Sequence, residues 1–183
     1  MTNNFDDYED WEAISEFTEE EDWTGLVKWA ETGFNKHPNE YYYQYNYGSA
    51  LIQNSEYKKA IEVLTQAYNI HFDSTDVVHS ILEALFLSGK TENDFKWKVP
   101  PEILLLNDLT IQTCETFLKG KRKYTSFTDI YCDLVVSGAY LKFSEEELHD
   151  FLIKSDKFDV IPETPDSFFV TNSKFKNRLK KNS

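Results

Sequence analysis

The residues best suited to hold a metal or move a proton are four histidines and two cysteines. Zinc and related metals need such ligands at short, regular intervals. His37, His71, His79 and His149 offer no such interval, and no H-E-x-x-H run occurs. His37 stands before Pro38 and reads as a loop residue. His71 and His79 flank a turn and can approach each other, but no third ligand is evident. Cys114 and Cys132 also lack metal spacing, and each falls on a predicted helix; buried free thiols in a reducing cytoplasm is the reading they suit. The six glycines are scattered singly, so no phosphate-cradling loop is present. No Gly-x-Ser-x-Gly elbow occurs. Ten acids fall within residues 6–22, too many and too exposed to single out a general acid. The expectation is a non-enzymatic chain with no cofactor and no metal.

Charge is distributed unevenly. The net charge is −13, of which residues 1–22 contribute −10. Residues 119–123 contribute +4 and residues 174–183 contribute +5. An acidic protein repels nucleic acid and anionic membrane surfaces and attracts a basic partner. A solubilising face on the first helix explains the same acids without a partner. No apolar run reaches the length of a membrane span. The acidic opening does not resemble a signal peptide, so a cytoplasmic location is expected. The chain has 183 residues, 40% of them hydrophobic and 16% aromatic, enough for one compact unit or two small domains.

The elements that would position any site begin with Tyr41 to Phe72. Tyr43, Tyr47, Ala50 and Leu51 fall on one helical face. Asn54 and Ser55 break the pattern. Tyr57, Ala60, Ile61, Leu64, Ala67 and Tyr68 then recur at three- and four-residue steps, as an amphipathic helix requires. Gly48 and Ala60 are small where two helices would cross. Upstream at the same spacing, Trp23, Leu26, Ala30 and Gly33 repeat the second helix, and Pro38 stops it. Asp7 to Phe17, with Trp11, Ile14 and Phe17 as its apolar stripe, is the helix before that. Downstream, Ser74-Thr75-Asp76 opens a helix through Val78, Ile81, Leu82, Leu85 and Phe86, ended by Gly89.

This pattern resembles the tetratricopeptide (TPR) repeat, a unit of about 34 residues. The middle copy starts at Tyr41, with Gly48, Leu51, Tyr57, Ala60, Leu64 and Ala67 at its signature positions. The resemblance covers residues 7–89, about two and a half units. It implies helical hairpins stacked side by side, because one unit cannot bury its own face. It also implies a groove for a peptide or partner helix on the inner faces of the first helices. By that resemblance the groove would be lined by Tyr42, Tyr45, Ser49, Ile52 and Gln53, joined by Asp76, His79 and Glu83. Some TPR proteins clamp a C-terminal carboxylate with basic residues and asparagines. Asn46 matches one asparagine position, but Asp76 and Ser80 stand where the clamp needs base, so that ligand is not expected. The five tyrosines of residues 41–47 cannot all face one core. They either form a contact surface or pack beneath Trp11.

Residues 90–101 form a boundary. Val99-Pro100-Pro101 disfavours helix, while Phe95 and Trp97 are too apolar for a free linker and should pin it to a domain. A second domain follows over residues 102–173, then a basic tail over residues 174–183. Pro101 would open a helix carrying Ile103, Leu106, Leu109, Ile111, Cys114, Phe117 and Leu118, with a break near Asn107-Asp108. Ser126 caps a second helix with Phe127, Ile130, Leu134 and Val135 inward, closed by Gly138. Ser144 and Glu147 form a capping box, with Phe143 and Leu148 as its hydrophobic staple. Leu148, Phe151 and Leu152 are the core face of that third helix. Phe158–Val160 and Phe168–Val170 predict a hairpin turning over residues 162–166. Three helices and a terminal hairpin resemble a winged-helix domain in element order. Such a domain usually reads DNA with its third helix. Here that helix carries Glu145, Glu146, Glu147 and Asp150 against Lys154 alone, which opposes phosphate binding.

The fold class expected is therefore mainly α, with TPR-like antiparallel hairpins followed by a small winged-helix-like α+β domain. The function expected is a protein-interaction adaptor for a protein or peptide partner of basic character, without membrane contact and with nucleic acid disfavoured. The alternatives are a winged-helix transcriptional regulator and an acidic immunity-type protein that neutralises a basic toxin.

Overall fold

The computed structural model describes residues 7–119, 121, 125–161 and 164–170, with side chains described from residue 12 to residue 160 outside the gaps. The chain divides into two compact units, residues 1–100 and 101–183. The architecture is mainly α: eight α-helices among the described residues, with a few short strands. No described helix is long and apolar enough to cross a membrane.

The first unit is a series of helices, α1 (Asp7–Glu19), α2 (Trp23–Lys36), α3 (Tyr41–Gln53), α4 (Tyr57–Ile70) and α5 (Thr75–Leu87). Short turns make sequence neighbours pack on one another, and α3 also meets α5. Each start and stop has a local cause. The Asp22 carboxylate accepts the Gly25 N–H at 2.9 Å and so caps α2. After α2 the chain meets Pro38, which has no N–H to continue the helix. Between α3 and α4, Ser55 takes φ +62°, a conformation that reverses the chain. The Glu56 N–H then reaches back to the Leu51 carbonyl at 2.8 Å.

The core of this unit runs through Leu26, Ala30, Tyr47, Leu51, Ala60, Leu64, Ala67, Tyr68, Ile81 and Leu85. Gly48 marks the closest approach: a Cβ there would lie 2.4 Å from Leu64 Cγ. Ile52 belongs to this core, only 3% exposed, and not to a groove wall as its repeat position implied. The apolar linker residues are pinned here too. Phe95 and Trp97 stand edge-on to Tyr68 at 5.5 and 5.7 Å. The Tyr68 hydroxyl accepts the Lys98 N–H at 2.7 Å, and Trp97 Nε1 donates to the Glu92 carbonyl at 2.8 Å.

The second unit contains β1 (Ile103–Leu104), α6 (Asp108–Lys119), β2 (Thr125–Ser126), α7 (Phe127–Val136), β3 (Tyr140–Leu141), α8 (Glu145–Lys154), β4 (Phe158–Ile161) and β5 (Thr164–Val170). Two sheets form. β1 pairs in parallel with β3, Ile103 opposite Tyr140. The other sheet has the order β2-β5-β4, all antiparallel, with Thr125 opposite Phe168 and Phe158 opposite Val170. The core gathers Leu104, Cys114, Leu118, Phe127, Ile130, Leu134, Leu148 and Leu152.

Several sequence expectations change here. Pro101 does not open a helix. Ile103 and Leu104 are strand, and Asn107 starts α6 by accepting the Leu109 N–H at 2.9 Å. That shift rotates the helix, so Leu109 is 55% exposed and Thr110 is buried in its place. Thr110 Oγ1 donates to the Leu105 carbonyl, which satisfies its hydroxyl. Val135 is 50% exposed because the last turn of α7 runs past the core. Cys132 is exposed; only Cys114 is buried. Residues 164–166 extend β5 instead of forming the turn, and a register shift after Val160 absorbs the change. Pro162 and Glu163 of the expected turn, the basic residues Arg122 and Lys123, the tail over residues 174–183 and the side chain of Trp11 lie outside the described residues.

Candidate functional site

Helix α3 divides its side chains between two jobs. Gln44, Tyr47, Gly48 and Leu51 turn inward, while Tyr45, Asn46, Ser49 and Gln53 share a second stripe at three- and four-residue steps. That second stripe forms one wall of a cleft of about 310 Å³. Trp23, Leu26 and Trp29 of α2 form the facing wall, and Ile14 and Thr18 of α1 close a side. A second cleft of about 380 Å³ continues along the same two helices. Its walls include Thr32, Gly33 and Lys36 of α2, His37 just after it, and Tyr43 of α3. Trp29 and Asn46 belong to both clefts, so the two adjoin along the α2–α3 seam.

The walls are held in place. A Cβ on Gly33 would lie 2.7 Å from the Tyr43 ring, so the glycine lets that ring lie against α2. His37 stacks on Tyr43 with centroids 4.5 Å apart, and His37 Nδ1 lies 2.9 Å from Glu40 Oε1. Tyr45 stacks at 6.2 Å on Tyr41, whose hydroxyl lies 2.6 Å from Ser74 Oγ and whose ring meets His71 at 4.7 Å. On the inward side the Tyr47 hydroxyl donates to Glu31 Oε1 at 2.5 Å, and Lys59 Nζ donates to the same oxygen at 3.2 Å. The Tyr47 bond, then Lys59, hold the Glu31 carboxyl below its ordinary range, while burial above all pushes the Tyr47 phenol up.

Two polar atoms of residues that line the first cleft stand out. Asn46 Nδ2 and Ser49 Oγ are buried and have no hydrogen-bond partner. They sit one helical turn apart on the α3 wall, between Tyr45 and Gln53 and opposite Trp23, Leu26 and Trp29. A buried donor without a partner costs about 1–3 kcal/mol, so such atoms are usually paired.

Of the residues singled out in the sequence, Tyr45, Ser49 and Gln53 meet in this cleft. Tyr42 lies edge-on to Tyr43 at 5.3 Å and is not among the described walls. Asp76, His79 and Glu83 lie on α5 and are not among those walls either. Asp76 is exposed, and the Glu83 carboxyl is pushed up by burial. The repeat spacing makes Trp23 and Leu26 inner positions of the second helix and does not single out Trp29, so their place in a cleft has no separate signal in the sequence. Asn46 was visible only as a single match to an asparagine clamp.

Among the described residues, no three His, Cys, Asp or Glu side chains gather as a metal site. Burial pushes the Cys114 thiol up to about 12, which keeps it protonated and unreactive. In the second unit, Ser144 and Glu147 cap α8 reciprocally at 2.8 and 3.1 Å, leaving Glu145, Glu146 and Asp150 exposed. No protein-family profile matches the chain, and comparison with curated proteins and with solved structures finds no significant likeness.

Proposed function

We propose that the chain is a non-enzymatic interaction module that binds a protein segment in the α2–α3 cleft. The observation that carries this reading is the cleft itself: Trp23, Trp29 and Tyr45 around the buried, unpartnered Asn46 amide and Ser49 hydroxyl. Aromatic walls with a few placed polar groups suit a segment that brings apolar side chains and main-chain hydrogen-bonding groups. The serial helical hairpins, with Gly48 against Leu64 at their crossing, support reading the first unit as TPR-like. The succession α6, β2, α7, α8 and the β4–β5 hairpin supports reading the second as winged-helix-like, since β2 returns to pair with β5; β1 and β3, paired with each other, are additions to that order. That topology also favours a second reading, a DNA-binding regulator. The three net negative charges of α8 weigh against it.

The test is a selection of displayed random peptides on the intact protein. Enriched sequences should bind the parent and be displaced in Tyr45→Ala, with hydrogen exchange slowed in α2 and α3. Binders that protect α8 instead would move the site, and a selection without enrichment would end the reading.

A further inference from the structure

We infer that the segment taken by this cleft is basic and amphipathic, with a bulky apolar side chain between Trp23 and Trp29 and its lysines or arginines against the turn from α1 to α2. This rests on the reading above and names the chemistry of its partner. Thr18 and Trp23 both line the cleft, and every residue joining them is acidic and exposed: Glu19, Glu20, Glu21 and Asp22. Two helices also finish at this end, α1 at Glu19 and α3 at the wall residue Gln53. Both ends are closed by the chain's own N–H groups, Asp22 to the Phe17 carbonyl at 2.9 Å and Glu56 to the Leu51 carbonyl at 2.8 Å, so the four acids carry the attraction for a cation. The start of α2 has the opposite polarity, but the Asp22 carboxylate already caps it. No lysine or arginine is among the described walls of this cleft. The cation that does line the seam, Lys36, belongs to the adjoining cleft toward the far end of α2.

The interior sets the other half of the specificity. About 310 Å³ lies at the small end of the ~300–1,000 Å³ range of ligand pockets, room for one or two large side chains. Asn46 Nδ2 can only donate, so it fits a main-chain carbonyl; Ser49 Oγ can give or take a proton. Both atoms are closed to solvent, so a peptide backbone group would meet them only once the wall side chains turn toward it. The acids outside the cleft act on encounter and fade with salt, whereas the buried contacts act on dissociation.

Three synthetic peptides of equal length test this against the full chain: an amphipathic lysine–leucine peptide, a glutamate–leucine peptide of the same pattern, and a lysine–serine peptide of the same charge. Binding is followed by tryptophan fluorescence and stopped flow. The lysine–leucine peptide should bind about tenfold or more tighter than either of the others, a gap of about 1.4 kcal/mol. Replacing Glu19, Glu20 and Glu21 with glutamine should slow its association and flatten the salt dependence. Ser49→Phe, which places a ring in the cleft, should abolish binding while leaving the melting temperature unchanged or raised. Should Ser49→Phe fail to fold, Asn46→Leu, which deletes the donor at similar size, should weaken binding several-fold. Equal binding of the glutamate–leucine peptide in the cleft would overturn the basic partner and leave the interaction module standing. Equal binding of the lysine–serine peptide, or normal binding to the blocked variants, would reduce the contact to surface charge and overturn the inference. No binding by any of the three overturns it as well, and the peptide selection then decides separately whether the cleft binds at all.

Discussion

Replacing Gly48 with alanine should destabilise the parent protein and stabilise a variant that lacks the Leu64 side chain. In an unobstructed helix Gly→Ala gains about 0.5–1 kcal/mol. At Gly48 the added Cβ would lie 2.4 Å from Leu64 Cγ and 2.5 Å from Cδ2. Carbon atoms in good contact lie about 3.5–4.0 Å apart, so roughly an ångström must be found. Leu64 cannot yield cheaply: it is 0% exposed, and the contact falls on its branch point. Overpacking of this kind costs about 1–3 kcal/mol, more than the propensity gain. Leu64→Ala alone should cost about 2–5 kcal/mol. With Leu64 cut back, nothing opposes the new methyl, and Gly48→Ala should become favourable by up to about 1 kcal/mol. Gly48→Leu in the parent should sit at or beyond the upper end of the overpacking range. Urea titrations of the four proteins of the cycle, read by tryptophan fluorescence, measure both signs. A parent whose stability is unchanged or raised by Gly48→Ala, or a cycle without the sign reversal, would show that α3 and α4 do not cross at this glycine.

Three further outcomes follow from single contacts. Burial raises the Glu83 carboxyl, so its stabilising share is fully present below the ordinary carboxylate range and is lost as pH rises through the folded value. Glu83→Gln should therefore stabilise the protein at neutral pH, with the gain vanishing at low pH; a gain that persists in acid would assign it to packing. Ser144→Ala removes the cap of α8 and leaves the Glu147 N–H unpaired, which should cost about 0.5–2 kcal/mol in thermal or urea melts. Duplex DNA should not bind at physiological salt, because exposed Glu145, Glu146 and Asp150 would face phosphate; salt-sensitive anisotropy at micromolar protein would favour the regulator.

The helices were legible wherever a stripe of apolar residues and a boundary signal coincided. The run from Tyr57 to Tyr68 carries both, as does the capping box at Ser144. The short strands were not legible. Ile103–Leu104, Thr125–Ser126 and Tyr140–Leu141 hold two residues each, too few for alternation to register. Their partners are also distant in sequence, so their pairing is a tertiary fact. The same limit explains Pro101. Its position favours a helix start, yet the pairing of Ile103 with Tyr140 overrides that preference and moves the start to Asn107. The cleft was half visible. Tyr45, Ser49 and Gln53 could be placed on one stripe of α3, but the facing wall comes from α2, where Trp23 and Trp29 look like core. An amphipathic pattern tells which residues leave water; it does not tell whether a partial neighbour such as α1 covers them completely.

That incomplete cover bears on how the cleft would work. Helix α3 is fixed from its other side by Gly48 against Leu64 and by Tyr47, Glu31 and Lys59 tied through one carboxylate oxygen. Tyr45 is braced by Tyr41, which in turn meets Ser74 and His71. A binding wall braced in this way has little conformational freedom left to lose when a segment arrives, and that loss is what commonly weakens peptide recognition. Among the described residues, the acids between Thr18 and Trp23 show no comparable bracing apart from Asp22, which caps α2. On the proposed reading, rigid aromatic contacts inside and exposed charges outside would divide recognition between lifetime and encounter rate. The division also explains why the charges alone, the loudest signal in the composition, would be a poor guide to where a partner sits.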